Sequence, residues 1–186
     1  MTSRNPLKNR LFKAWDESIS RDYHKQRINS ERSLQASYWA QLNSILPETQ
    51  RVFIEPPMRM WTKYGWKKVI PDILVCSKTE VIAVIELKFS PKGQPDYQKD
   101  IETMALISRK RTQVLVSNKR FRGNEVDSRE YSLSRNILFV WAGIHAKPKK
   151  EIQKLYASRY KSLDNAYVQF HAETAHDQNP LVYLYE

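Results

Sequence analysis

The sequence predicts a mixed α/β (α+β) domain in which helices flank a central mixed sheet and a further helix and strands follow at the C-terminal end. Three observations predict it. Two Val/Ile-rich runs, 70–76 and 81–89, have the length and composition of buried strands. Apolar residues recur every three to four positions before and after them, as amphipathic helices require. Short segments rich in Pro, Gly and polar residues separate these units.

Leu11, Phe12, Trp15 and Ile19 recur at helical spacing, so a helix is expected from about Pro6 to Tyr23, within a basic N-terminal extension of about residues 1–29. Leu34, Tyr38, Leu42 and Ile45 stripe a second helix, capped by Asn29 or Ser30 and ended by Pro47. Arg51 to Met60 reads as a strand that Pro56-Pro57 confines to an edge or a bulge. Residues 61–68 read as a hairpin tip with Gly65 in the turn. After the two apolar runs, a Pro/Gly loop leads into a helix from near Asp96 to Arg109, packed through Tyr97, Ile101, Met104, Ala105 and Ile107. Gln113–Ser117 is a short buried strand, and 118–135 a long polar connection of the kind that is often functional or mobile. Ile137–Gly143 is another strand, residues 151–162 a helix, and the alternations at Tyr167, Gln169, His171 and at Val182, Leu184 predict two closing strands.

The two apolar runs carry charged residues where a core would carry none: Asp72 in the first, Glu86 and Lys88 in the second. A three-residue loop, Lys78 to Glu80, makes Ser77 face Val81 and Asp72 face Glu86. Directly opposed residues hold their Cβ atoms about 4.5–5.5 Å apart. Carboxylates that close repel unless a cation lies with them. Lys88 shares the face of Glu86, and the Leu87 carbonyl lies beside both. Such oxygen donors suit Mg²⁺ or Mn²⁺ rather than zinc. A structural salt bridge from Lys88 to either acid is the alternative.

Pro71-Asp72 together with Glu86-Leu87-Lys88 resembles the PD-(D/E)XK nuclease superfamily. The resemblance covers roughly residues 30–118 and includes the order helix–three strands–helix–strand of a restriction-endonuclease-like core. It implies Mg²⁺-dependent hydrolysis of a phosphodiester, with Mn²⁺ as a substitute. The metal would rest on Asp72, Glu86 and the Leu87 carbonyl, and Lys88 would orient or activate water. Members often place an acid on the first core helix, where Glu31 stands. Its alternative role is the favourable interaction of an acid with a helix N-terminus. Gln35, Gln98 and Asp100 are accessory candidates. Tyr97 precedes Gln98, so the Gln-x-x-x-Tyr signature of exonuclease domains attached to helicases is not met. Glu55 is either a further acid of the cluster or an exposed edge residue.

Net charge is +11, with the excess concentrated before Asp72. That balance fits a polyanionic partner, with nucleic acid the commonest; simple solubility is the alternative, and the nuclease resemblance puts DNA before RNA. Candidate contacts are Lys63, Trp66, Lys67 and Lys68 of the hairpin, where cations interleave with aromatics, and Lys119, Arg120 and Arg122 of the polar connection. A homodimer or a place in a larger assembly stays open, as does a non-catalytic binding module on the same fold. Cys76, the single cysteine, reads as a buried structural thiol. His171, Glu173, His176 and Asp177 match no recognised ligand spacing and read as surface polar residues. No apolar run reaches the length of a membrane span and no signal core opens the chain, so a cytoplasmic protein of one domain, 1–186, is expected.

Overall fold

The computed structural model describes residues 5–146, 160–163, 165–174 and 179–185. His176, Asp177 and nearly all of the helix expected over 151–162 lie outside them. Helix α1 (Pro6–Glu17) starts at Asn5, whose side chain accepts the Leu7 and Lys8 N–H groups, and continues as a π-helical segment to Tyr23. Helix α2 (Glu31–Ile45) opens on a reciprocal Ser30–Ser33 cap. Strands β1 (Arg51–Ile54), β2 (Met58–Thr62), β3 (Gly65–Val69), β4 (Ile73–Cys76) and β5 (Glu80–Ser90) precede helix α3 (Gln98–Arg109). Strands β6 (Val114–Ser117), β7 (Arg120–Arg122), β8 (Glu125–Asp127), β9 (Glu130–His145), β10 (Tyr167–Glu173) and β11 (Leu181–Tyr185) follow it.

The sheet has the order β1-β4-β5-β9-β6-β2-β3, and β10 with β11 branches from the C-terminal half of β9. β5 and β9 run parallel, and β10 runs parallel to β9; β1–β4, β4–β5, β2–β3 and β2–β6 are antiparallel. This is the mixed sheet with flanking helices that the sequence predicts, consistent with a restriction-endonuclease-like core. Two expectations are corrected. Five strands, not three, separate α2 from α3, because the strand expected over 51–60 breaks at Pro56-Pro57 and the hairpin tip forms paired strands of its own; β6, which follows α3, pairs with β9 and β2, and β9 lies beside β5. The polar stretch 118–135 is not a structureless connection, because it holds the small β7–β8 hairpin and the start of β9.

Chain length dictates that this sheet curls. β3 and β4 lie five positions apart in strand order, about 24 Å if the sheet were flat. Only residues 70–72 join them, and the four steps from Val69 to Ile73 reach at most about 14 Å. The same holds for β1 and β2, joined by residues 55–57. The two ends of the sheet are therefore brought together.

Two apolar clusters result. Leu11, Trp15, Leu34 and Tyr38 of α1 and α2 pack with Ile73, Val75, Ile85 and Leu87 on one face. On the other, Tyr97, which caps α3, and Ile101 and Met104 within it cover Met58, Met60, Leu74, Val84, Phe139 and Trp141. Cys76 is buried in this second cluster, as expected of a structural thiol. Among the described residues no helix is long and apolar enough to cross a membrane.

The Trp141 indole lies over Gly143, two residues along β9, where any Cβ would collide with its ring. Gly143→Ala should therefore destabilise the fold by about 1–3 kcal/mol through overpacking. A lower denaturation midpoint with unchanged slope checks this; an unchanged midpoint would show that the ring moves aside freely.

Candidate active site

Asp72 immediately precedes β4. The register Ile73↔Ile85 and Leu74↔Val84 sets it opposite Glu86, as expected. The route to that register differs from the one expected. The Ser77 N–H donates to the Glu80 carbonyl at 2.8 Å, so the turn is Lys78-Thr79 and not a three-residue loop ending at Glu80. Cys76 then pairs with Val81, one residue out of step. Continued unbroken, that pairing would turn Asp72 and Glu86 to opposite faces. A bulge at Ile82 inserts the missing residue, and Val75 pairs with Ala83.

Asp72 is tied down on several sides. One of its carboxylate oxygens accepts the Leu87 N–H at 2.6 Å. Its carbonyl accepts the Gln35 side-chain amide at 2.9 Å and the Glu55 N–H at 2.9 Å. Gln35, buried on α2, thus meets the site through backbone. Glu55 has φ +47°, which turns the chain out of β1; its side chain is exposed.

Glu86 is only 7% exposed. Burial, then the neighbouring Asp72 and Asp100 charges, push its carboxyl up to about 9, against the pull of Lys88. Burial also raises Asp72, to about 6, although the Leu87 N–H opposes it. The two acids thus hold a proton at neutral pH that separate carboxylates would have lost.

Lys88 bonds neither of them. Its ammonium lies 3.1 Å from the Asp100 carboxylate in the first turn of α3. Burial pulls the Lys88 pKa down, but Asp100, Glu31 and Asp72 outweigh it and the pKa rises. Glu31, exposed at the start of α2, is close enough to act electrostatically on Asp72, Lys88 and Asp100. Asp72, Glu86, Lys88, Glu31, Gln35 and Asp100 are thereby gathered at one place, between the N-terminal ends of α2 and α3. Among the described residues, no three His, Cys, Asp or Glu side chains form a ready ligand cage. The hard donors that the fold brings face to face are the carboxyl groups of Asp72 and Glu86, whose chemistry fits Mg²⁺ or Mn²⁺.

The remaining candidates lie apart. Gln98 is exposed and bonds Glu102 one turn on. Lys63, Trp66, Lys67 and Lys68 are exposed on the β2–β3 hairpin. Lys119 is exposed, whereas Arg120 pairs with Asp127 and stacks over Phe53 and Tyr131, and Arg122 pairs with Glu125.

Sequence reasoning missed a buried polar row beside this site. Trp141 is the β9 neighbour of Glu86, and Tyr97 packs on its ring at 4.4 Å. Beyond it, His145 Nε2 lies 2.8 Å from His171 Nδ1, and His171 Nε2 lies 2.9 Å from the Gln169 side chain. His171 is 1% exposed, stacked on Tyr183, which corrects its reading as a surface residue. The period-two spacing of Trp141, Gly143 and His145, and of Gln169 and His171, is the signal that places them on one face.

No protein-family model matches the chain, and none of the curated proteins matches its sequence. The solved structure of NucC from P. aeruginosa ATCC27853, in its cAAA-bound form, aligns over 98% of this chain and 85% of its own, with 12% identity and a TM-score of 0.46. So distant a likeness assigns neither family nor activity.

Burial pulls the His171 pKa down from 6.5 to about 3, and the neighbouring His145 adds to this. The unfolded chain therefore takes up this proton first, and stability is lost as pH falls below about 6.5. His171→Gln, which keeps a hydrogen-bonding side chain, should flatten the fall in denaturation midpoint between pH 6.5 and 5. An unchanged pH slope in that variant would count against the buried neutral imidazole.

Proposed function

We propose that this protein is a divalent-metal-dependent phosphodiesterase that hydrolyses nucleic acid, DNA in the first instance. The observation that carries the reading is the opposition of half-buried Asp72 and buried Glu86, two carboxyl groups with raised pKa values, beside a charged Lys88. Perturbed, clustered acids of this kind belong more often to functional sites than to ordinary cores.

Asp72, Glu86 and the Leu87 carbonyl would hold Mg²⁺ or Mn²⁺. A bound ion of this type polarises a phosphate and lowers the pKa of a coordinated water. The residues supply the rest. Asp72 is fixed by the Leu87 N–H, so its free oxygen has a set direction. Asp100 orients the Lys88 ammonium, a compact charge suited to stabilising the anionic phosphate as it gains charge. Gln35 holds the Asp72 backbone and acts as a positioning residue.

One observation favours a second reading. The Lys88–Asp100 pair is the structural salt bridge that a binding module would retain without cleaving. Metal uptake and cleavage separate the two. The enzyme reading expects cleavage of DNA with Mg²⁺ or Mn²⁺, stopped by a chelator. Lys88→Ala should lower the rate roughly a hundredfold or more with the fold intact. Mn²⁺ should raise the melting temperature of the parent protein and not that of Glu86→Gln. Cleavage unaffected by Lys88→Ala, or no Mn²⁺ stabilisation, would remove the proposal.

Asp100→Asn tests the positioning of the ammonium. It should slow cleavage less than Lys88→Ala. It should also move the alkaline limb of the pH–rate profile to lower pH, because Asp100 is the leading group that holds the Lys88 pKa up. A uniform loss of rate at every pH would mean that Asp100 matters only for the fold.

A further inference from the structure

The β2–β3 hairpin, residues 58–69, contains no acidic residue. It carries Arg59, Lys63, Lys67 and Lys68, and its aromatic rings are turned to solvent: Trp61 is 48% exposed, Trp66 61% and Tyr64 87%. The cross-strand pairs sort these side chains by face. Trp61 lies opposite Trp66 and Arg59 opposite Lys68, so both pairs share one face; Met58 and Met60 point to the core on the other. The two indoles meet edge to face with centroids 5.2 Å apart, and the Lys63 ammonium lies 4.7 Å from the Tyr64 ring centroid. An ordinary surface hairpin has no use for two large indoles held in the open beside cations.

We propose that this face is a stacking surface for single-stranded nucleic acid, which it delivers to the Asp72–Glu86–Lys88 site; the delivery rests on the function proposed above, whereas the binding does not. The chemistry selects the strand. Cations alone serve the phosphates of a duplex as well as those of a single strand. Exposed indoles find a partner in the face of a base, and in a duplex those faces are covered by neighbouring bases. Stacking is indifferent to the sugar, so DNA and RNA strands both qualify. The charge also speaks against a second copy of this chain as the occupant. Two such hairpins bring cations against cations, and Lys67 and Lys68 guard the outermost strand of the sheet against edge pairing.

The fold connects this surface to the acids. β3 ends at Val69, three residues before Asp72, because the sheet curls there. The hairpin of about five residue pairs is roughly 17 Å long, the length of a few stacked or extended nucleotides. On its opposite face Lys67 joins Lys99 and Arg109 of α3 around an open cleft of about 460 Å³ that Glu102 also lines, so three cations face one acid there.

Binding can be read without cleavage, on the full chain with chelator present. Labelled 12-nucleotide DNA and RNA strands and the matching DNA duplex are titrated by anisotropy, with indole fluorescence followed in parallel. The single strands should bind at least tenfold tighter than the duplex and quench indole emission. Trp66→Ala should weaken single-strand binding about five- to hundredfold with little change for duplex, and Trp66→Phe should restore most of it. Lys68→Ala should weaken both forms and reduce the salt dependence. Equal affinities, a preference for duplex, or no loss in Trp66→Ala would overturn the proposal. So would self-association lost in Trp66→Ala without any binding of strands. A protein that binds single strands as described yet never cleaves them with Mg²⁺ or Mn²⁺ would keep this inference and refute the catalytic one.

Discussion

The face-to-face placement of Asp72 and Glu86 is the constraint around which the rest is arranged. Burial raises the pKa of both acids, the Asp72 charge raises that of the almost wholly buried Glu86 further, and the fold is weakened wherever both ionise. The chain does not dilute this conflict; it enforces it. A bulge at Ile82 restores the facing register, and three separate hydrogen bonds hold Asp72 in position. Local features that keep like charges together, at a cost to stability, are expected where function demands them. A sequence selected only for stability could have let the two-residue turn stand and sent the acids to opposite faces.

The second constraint is reach. Two three-residue connections, 55–57 and 70–72, tie strands that the pairing order places far apart, and this forces the sheet to close on itself. The curl creates the cluster beneath α3 and sets the root of the basic hairpin next to Asp72. Charge and acid site are thus adjacent through topology, although their side chains share no hydrogen bond. α2 and α3 complete the arrangement by directing their N-terminal ends at the same place, where the positive end of each helix favours the acids Glu31 and Asp100.

What could be read in the sequence follows from the range of each interaction. The facing of Asp72 and Glu86 is local, since it depends on alternation and on a turn of few residues. It was legible even though the loop was assigned one residue too many, because the unseen bulge at Ile82 shifts the register by the same amount. The helices were legible from apolar stripes, with the capping positions of α2 and the glycine turn at Gly65. The course of β9 was not. Its first half, Glu130 to Asn136, is polar because it lies near the rim, and reads as connection; the 16-residue strand emerges only through its partners β5, β6 and β10. The interior place of His171 was hidden for a similar reason. A polar residue reads as surface unless its hydrogen-bond partners are known, and His145, Gln169 and Tyr183 come from three different strands. The pairing of Lys88 with Asp100 joins β5 to a helix that local pattern cannot orient.

That last contact bears on how the ion pair and the acids divide the site. A purely structural use of Lys88 would set its ammonium between Asp72 and Glu86, where one cation would offset the most repulsion. The ammonium instead meets Asp100 and acts on the two acids only through space. The group of four therefore splits into a neutral pair, Lys88 with Asp100, and an acidic pair that retains its mutual repulsion. Burial first, and then that repulsion, hold the Glu86 proton in place up to about 9. Asp72 and Glu86 would hold a hard dication only as Glu86 gives up that proton, so that proton and cation would compete for the same carboxyl group. Metal affinity at such a site must then rise with pH until Glu86 ionises unaided, whereas a salt bridge kept for the fold alone would have no use for any dication.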